Sequence, residues 1–335
     1  MDFGLDFGLF QNRVTASADY YTKTSQDQLL NVPVPSGSGY TNYLTNIGEV
    51  QNKGWELEVS SRNLQGEFSW NTSLNLSHNE NKVVHLGPGD ATIEVPNGLD
   101  TPSNILQVGL PIYSFFVVKQ TGILTQADID GRVARFGAQT AGDPRYEDYN
   151  GDGVIDSKDR QVVGQPNPKY TWGITNTLRY KGFDLSFLVQ GQNGGKIYST
   201  LGRAIDRTSV GYKENALGRV RDRWISADNP GEGVKGKATG SFGFIRNTDW
   251  LYSSDYFRVR TITLGYDLGR VINKRVAQGA RLYVTAENFF GHGNYYGGLD
   301  PDAVSTSNTG NFVSGSDYGG LPLAKSLVLG LNLSF

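Results

Sequence analysis

The closing residues of the chain alternate with a period of two: Leu327, Leu329, Leu331, Leu333 and Phe335 interleave with Ser326, Val328, Gly330, Asn332 and Ser334. That period puts an apolar row on one face of a strand and small or polar groups on the other. The same pattern recurs upstream, with turn signals between the repeats. Residues 3–10 meet a turn at Gln11 and Asn12, and Val14, Ala16, Ala18 and Tyr20 then alternate with Thr15, Ser17 and Asp19. Trp55, Leu57 and Val59 alternate with Glu56, Glu58 and Ser60; after a turn at residues 63–66, Phe68, Trp70, Leu74 and Leu76 face the opposite way from Ser69, Asn71, Ser73, Asn75 and Ser77. A third hairpin turns at Lys181 and Gly182, between a strand carrying Tyr170, Trp172, Ile174, Leu178 and Tyr180 and one carrying Phe183, Leu185, Phe187 and Val189. Residues 256–267 and 281–288 form a fourth pair, in which the apolar phase slips from Phe257 and Val259 to Ile262, Leu264 and Tyr266. A β-bulge near Arg260 accommodates that slip.

The connections fall into two classes. Turns after Phe10, Arg62 and Tyr180 are short, whereas the joins around 31–47, 82–110, 199–252 and 291–321 are long and rich in Gly, Ser, Asn and Asp. Short turns at one end and long loops at the other describe an outer-membrane β-barrel with the short end periplasmic. Strand direction then constrains the count. The strand leaving the Arg62 turn runs outward and the one entering the Lys181 turn runs inward, so an even number of crossings, or none, lies between them. Residues 112–124 read as one crossing, with a second at 92–95 or 145–148, which brings the total to about eleven strands, an odd number for a closed single-chain barrel. An open half-barrel would expose two unpaired edges to lipid, where each unsatisfied backbone group costs several kcal/mol. The predicted fold class is therefore all-β: residues 1–335 form the C-terminal half of a larger antiparallel transmembrane β-barrel.

Composition narrows the choice of membrane protein. With 38% hydrophobic residues, a net charge of -2 and no long apolar stretch, the chain is not a bundle of membrane helices, each of which needs ~20 consecutive apolar residues. In a barrel only alternate residues face lipid, and 18 Tyr, 16 Phe and 43 Gly suit aromatic girdles and tight turns. Near-neutral charge provides no basic stripe for nucleic acid. The absence of Cys excludes disulfides and thiolate metal sites. The opening MDFGLDFGLF lacks a basic segment followed by an apolar run, so an exported protein of this kind is expected to carry further chain upstream, including its signal peptide.

Three runs carry a family resemblance: Asn46-Ile47-Gly48-Glu49-Val50-Gln51-Asn52-Lys53-Gly54-Trp55-Glu56-Leu57-Glu58, Asp148-Tyr149-Asn150-Gly151-Asp152-Gly153-Val154-Ile155, and Tyr180-Lys181-Gly182-Phe183-Asp184-Leu185-Ser186 with Gly191 and Gly195. Together with Gly265-Tyr266 and the closing Leu333-Ser334-Phe335, and in this order over nearly the whole chain, they resemble the SusC/RagA family of TonB-dependent outer-membrane transporters. The resemblance implies a 22-strand barrel of which this chain would form half. It also implies an N-terminal plug, a TonB box, a SusD-like surface lipoprotein closing over the barrel, and import of oligosaccharides or peptides through the outer membrane.

One stretch has metal-ligand spacing. Asp148, Asn150, Asp152, the Val154 carbonyl, Asp156 and Asp159 occupy positions 1, 3, 5, 7, 9 and 12 of a calcium loop, with Gly153 at the sharp turn. Asp159 replaces the bidentate Glu and no helical pattern flanks the loop, so weak structural Ca²⁺ binding is expected, as in extracellular modules; the competing reading is an ordinary Asp/Asn/Gly turn. Tyr295 and Tyr296, in a glycine-rich loop, offer ring faces to a sugar, although rim packing serves as well. His78, His85 and His292 lack ligand spacing, and the run Arg219, Arg221, Asp222, Arg223, Trp224 reads as a packed, salt-bridged loop, with a short helix as its form. No nucleophile-base array, paired catalytic carboxylates or phosphate-binding glycine loop is evident, so the chain reads as a non-enzyme. Besides the energised transporter, a passive porin or adhesin-like barrel and a secreted calcium-binding β-domain share parts of the pattern.

Overall fold

The computed structural model describes residues 1–33, 37, 39–40, 42–95, 103–208, 215–238, 242, 245–270, 279–302 and 315–334. Four long strands open the chain: β1 (Asp2–Leu9), β2 (Val14–Pro33), β3 (Asn42–Leu64) and β4 (Phe68–His85). Six short strands follow, β5 (Ile93–Val95), β6 (Ser103–Leu106), β7 (Ser114–Val118), β8 (Gln120–Ile123), β9 (Pro144–Tyr146) and β10 (Arg160–Gly164), with the helix α1 (Gln126–Asp130) after β8. Then come β11 (Tyr170–Tyr180), β12 (Phe183–Asn193), β13 (Lys196–Ser199), the helix α2 (Thr200–Ile205), β14 (Leu251–Ser253), β15 (Tyr256–Asp267), β16 (Gly279–Gly293), β17 (Ser316–Asp317) and β18 (Ser326–Ser334). Among the described residues no helix is long and apolar enough to cross a membrane.

Nine strands form one antiparallel sheet in the order β1-β2-β3-β4-β11-β12-β15-β16-β18. Its register carries the period-two pattern from strand to strand. Phe7, Ala16, Val59, Leu74, Ile174, Val189, Val259 and Phe290 are successive cross-strand partners and make one apolar row. Asp6, Ser17, Glu58, Asn75, Gly173, Gln190 and Arg258 make a polar row on the other face. Among the described residues no protein covers the apolar face: Leu329 is 75% exposed. Near the short-turn end Phe68, Tyr180, Phe183, Tyr266, Leu282 and Leu331 line up, and near the other end the rings of Trp55, His78 and Tyr170 stack at 4.5–6.5 Å between centroids. These are the two aromatic belts of a membrane barrel wall. Against β12, Arg260 is the extra residue between Val259 and Thr261, where the bulge was expected.

The structure corrects the strand count and two of the connections. Of the segments read as additional crossings, 112–124 supplies β7 and β8, 92–95 supplies β5 and 145–148 part of β9; none joins the nine-stranded sheet. They pair instead as β10-β7-β6-β5 and β8-β9, while β14-β13-β17 make a further small sheet. Strand β4 therefore pairs directly with β11, and no crossing intervenes, which is the other solution of the direction rule. The join at 31–47 is also shorter than expected, because β2 and β3 continue pairing to Pro33 and Asn42 past a bulge at Asp27. The terminal Phe335 lies outside the described residues.

Most of the buried apolar side chains sit in the long connections, not in the barrel wall. Val83, Leu86, Ile93 and Leu106 form one cluster, Phe115, Tyr198 and Trp250 a second, and Val118, Tyr146 and Ile155 a third. The reason is physical: the wall buries its apolar row in lipid, so only the layer at the long-connection end needs a protein core. Phe115 is fully buried in that layer. Replacing it by Ala removes a large core side chain, and a destabilisation of about 3–5 kcal/mol is expected. In the intact protein in detergent, Phe115→Ala is predicted to speed limited proteolysis of the long connections while the barrel keeps its heat-modifiable mobility on gels.

Candidate functional site

The layer at the long-connection end and the polar face of the sheet contain every residue singled out for chemistry. The 148–159 loop lies between β9 and β10 and is anchored by Ile155, which packs beside Val118 and Tyr146. Its turns require glycine: Gly151 and Gly153 have φ of 74° and 83°, where a Cβ is strained. Asp148 accepts from the N–H groups of Gly151 (2.8 Å) and Gly153 (2.9 Å), Asn150 accepts from the Asp152 N–H (3.0 Å), and Asp152 accepts from Val154 (3.0 Å). The Val154 N–H and the Asn150 amide hold the Asp152 carboxyl below its ordinary value. Asp159 is fully buried; one oxygen accepts from Tyr149 (2.9 Å) and the other from Asp156 (2.7 Å). Asp156 caps the turn Ser157–Asp159 by accepting from the Lys158 N–H (2.7 Å). The oxygens thus serve the loop's own backbone. Among the described residues no group of three or more acidic or histidine side chains is placed to hold a metal ion as the loop stands.

The two tyrosines part company. Tyr295 is only 6% exposed, donates its hydroxyl to Asp317 (2.5 Å) and sits edge-on to Tyr252. Burial, reinforced by the Asp317 carboxylate, raises its hydroxyl well above the ordinary range. Tyr295 is a strut within the layer, with no free face for a sugar, which corrects that expectation. Tyr296 is 65% exposed and keeps its ring available.

A buried ion network, which no sequence spacing announced, lies beneath them. Asp206 is fully buried between the Lys235 ammonium (2.9 Å) and the Arg219 guanidinium, and Lys235 also pairs with Asp249. Desolvation lowers the Lys235 pKa against the pull of Asp249. Arg219 further donates to the Tyr252 hydroxyl, so the charged run at 219–224 acts as packing, and its local form is the 3₁₀ turn Gly218–Asp222, not an α-helix. The histidines serve structure too: His78 bonds the Lys169 carbonyl (2.9 Å) and His85 meets Asp90 (2.5 Å).

Where the layer meets the wall, two arginines of β15 hold an Asp-Pro-Asp segment. Arg258 pairs with Asp300 (2.5 Å), Arg260 with Asp302 (2.6 Å), and the Tyr256 hydroxyl donates to Asp302 (2.8 Å). Arg258 stands on the polar face, so this pinning ties the segment 300–302 to the inside of the wall. Below it, the polar face near the short-turn end forms an open trough lined by Asp6, Arg13, Ser17, Glu58, Arg62 and Thr175.

Comparison with known proteins now identifies the class. The family model for the TonB dependent receptor-like beta-barrel matches residues 1–171. The chain belongs to that family, whose members are outer-membrane β-barrel proteins. It is similar, at 32% identity over 344 residues, to TonB-dependent receptor P3 of Formosa agariphila, covering 100% of this chain and 34% of that protein. It is 28% identical over 345 residues to TonB-dependent receptor SusC of Bacteroides thetaiotaomicron, covering 99% of this chain and 31% of SusC. The structure of the RagAB peptide transporter superposes with a TM-score of 0.80 at 23% identity, over 100% of this chain and 35% of that one, and so shares the fold. The SusC/RagA resemblance read from the motifs stands, and the chain spans about a third of the length of the curated relatives it matches.

The Arg258–Asp300 pair makes a pH prediction. Burial alone raises the Asp300 carboxyl, but the hydrogen bonds from Arg258 and from the Asp302 and Leu323 N–H groups outweigh it and hold the pKa below the ordinary value. A depressed folded pKa means stabilisation present above the ordinary carboxylate value and lost as pH falls through the depressed one. Proteolytic cleavage around 294–302 is expected to rise with acidification below about pH 4. Asp300→Asn is expected to bring the same cleavage at pH 7, by weakening the segment's attachment by about 2 kcal/mol.

Proposed function

We propose that this chain is the C-terminal part of the barrel of an energised importer in the bacterial outer membrane, and that it has no enzymatic activity of its own. In this reading the long-connection end is extracellular. A SusD-like lipoprotein delivers an oligosaccharide or peptide there, and the TonB complex supplies energy through the N-terminal part of the protein. The observation that carries the reading is the combination of one sheet with a lipid-type apolar face, a polar inner face, and an Asp300 segment tied to that inner face, in a chain of the TonB-dependent receptor family. A wall built for passive flow has no need of energy coupling, which gives the discriminating test. Deleting the gene is expected to abolish growth on the imported glycan or peptide, and inactivating TonB in an otherwise intact strain is expected to do the same. Growth that survives loss of TonB but not loss of the gene would make the protein a passive porin.

Calcium at residues 148–159 forms a second part of the proposal. An ion would take over the Asp148 and Asp152 oxygens from the backbone N–H groups they now accept. The full-length protein is then expected to melt at a higher Tm in calcium than in chelator, and Asp148→Asn with Asp152→Asn is expected to remove the difference. Identical melting curves for the wild type in both media would leave the loop as a self-sufficient turn.

A further inference from the structure

The apolar face of the sheet has a polar interruption. Ser61 Oγ donates to Asn63 Oδ1 (2.7 Å), Asn63 Nδ2 to Thr72 Oγ1 (2.7 Å), Thr72 Oγ1 to Asn176 Oδ1 (2.7 Å), and Trp70 Nε1 to the same Asn176 oxygen (2.8 Å). Thr72 and Asn176 are direct partners across β4 and β11, one step along the apolar face from the Leu74–Ile174 pair. The aromatic row at Tyr180 lies four residues nearer the short-turn end. At ~3.4 Å per residue and a tilt near ~40°, Asn176 sits about 10 Å inside an apolar band of about 25 Å. At that depth a polar side chain on the lipid side is unfavourable unless it is satisfied within the protein. Here the relay satisfies it, and Asn176 is sunk to 8% exposure.

The position of the relay indicates its use. A short hairpin sets its own register through the turn. β4 and β11 have no such turn, because residues 86–169 separate them in sequence. Alternation forbids a slip of one residue, which would send every apolar side chain to the lumen. It does not forbid a slip of two, since the faces are then preserved. Such a slip puts Asn176 opposite Trp70 or Leu74 and strands Asn176 and Thr72 in hydrocarbon.

We infer that Thr72, Trp70 and Asn176 form a register lock, which excludes the even-numbered slips that hydrophobic patterning allows and so fixes the stagger of the barrel wall at this seam. Because stagger and strand number together set barrel diameter, the lock also fixes the width of the lumen. The other two long-connection seams carry polar ties as well, Asp184–Arg281 spanning β12 to β16 and Ser326–Glu287 joining β18 to β16, but these lie on the lumen side. The inference rests on the membrane placement proposed above.

The full-length protein, expressed in its own host, tests it. The native sequence here has no Cys, so introduced pairs report register. Ser77→Cys with Thr171→Cys reads the native register, and Asn75→Cys or Asn79→Cys with Thr171→Cys reads a slip of two. In the otherwise wild-type protein only the native pair is expected to cross-link. Asn176→Leu and Thr72→Val are each expected to lower the folded, heat-modifiable barrel in the outer membrane several-fold and to give a slipped cross-link in what folds, whereas Thr72→Ser, which keeps the hydroxyl, is expected to do neither. A lipid-facing residue without this role would respond oppositely. Asn176→Leu folding at wild-type yield or better, with the native cross-link alone, overturns the lock, as does a Thr72→Ser defect equal to that of Thr72→Val. If the wild-type protein itself is absent from the outer-membrane fraction, the membrane placement fails instead.

Discussion

Hydrocarbon offers no hydrogen-bond partner, so a backbone crossing it must pair every N–H and C=O with a neighbouring strand. The nine-stranded sheet meets that requirement along its interior, and much else in the chain follows from it. Alternation follows, because each strand has one neighbour in lipid and one in the lumen. The distribution of buried residues follows as well: the wall presents its leucines outward to lipid, while Phe115, Tyr198 and Trp250 pack where the chain leaves the membrane and must build a core of its own.

That division explains which parts are legible in the sequence. The hairpins at Gln11, Lys181 and the 63–66 turn, the bulge at Arg260 and the alternating C-terminal strand are readable because a half-buried strand writes its two environments into neighbouring positions. Residues 112–124 mislead for the converse reason. Ser114–Val118 reads Ser-Phe-Phe-Val-Val, a run without alternation, and its pairing with β6 and β10 puts both faces among protein groups. A continuous apolar run is the mark of a strand buried on both sides, and that pattern by itself argues against a crossing of a barrel wall. Strand direction is satisfied equally by zero crossings, so the direction rule cannot choose.

The chemistry of individual side chains is less legible, because it depends on partners distant in sequence. Tyr295 looks like a rim aromatic until Asp317 and Tyr252 enclose it. The 148–159 spacing identifies oxygens on one loop, but not whether they face an ion or the backbone; Asp159 is committed to the N–H groups of Tyr149 and Asp156. Asp206 and Lys235 are separated by residues that carry no periodic signal, and their pairing arises from the folding of the layer itself. Such buried pairs are weak evidence of stabilisation, since desolvating both charges offsets much of their attraction. Their effect is on specificity: a misfolded layer leaves Asp206 without a cation.

The wall and the layer are not independent bodies joined by loops. Arg258 and Arg260 belong to a strand whose register with β12 and β16 is set by the sheet, and the same two side chains hold Asp300 and Asp302. The bulge at Arg260 changes the phase of β15 between Val259 and Thr261, and both arginines reach the one Asp-Pro-Asp segment from that irregular stretch. A bulge is often taken as a local defect in pairing, but here it lets Val259 and Ile262, three residues apart, both face outward, which a regular strand could not do. Any displacement of the strands in the wall therefore moves the anchorage of the segment above the lumen, and a force on that segment reaches the wall through the same two ion pairs.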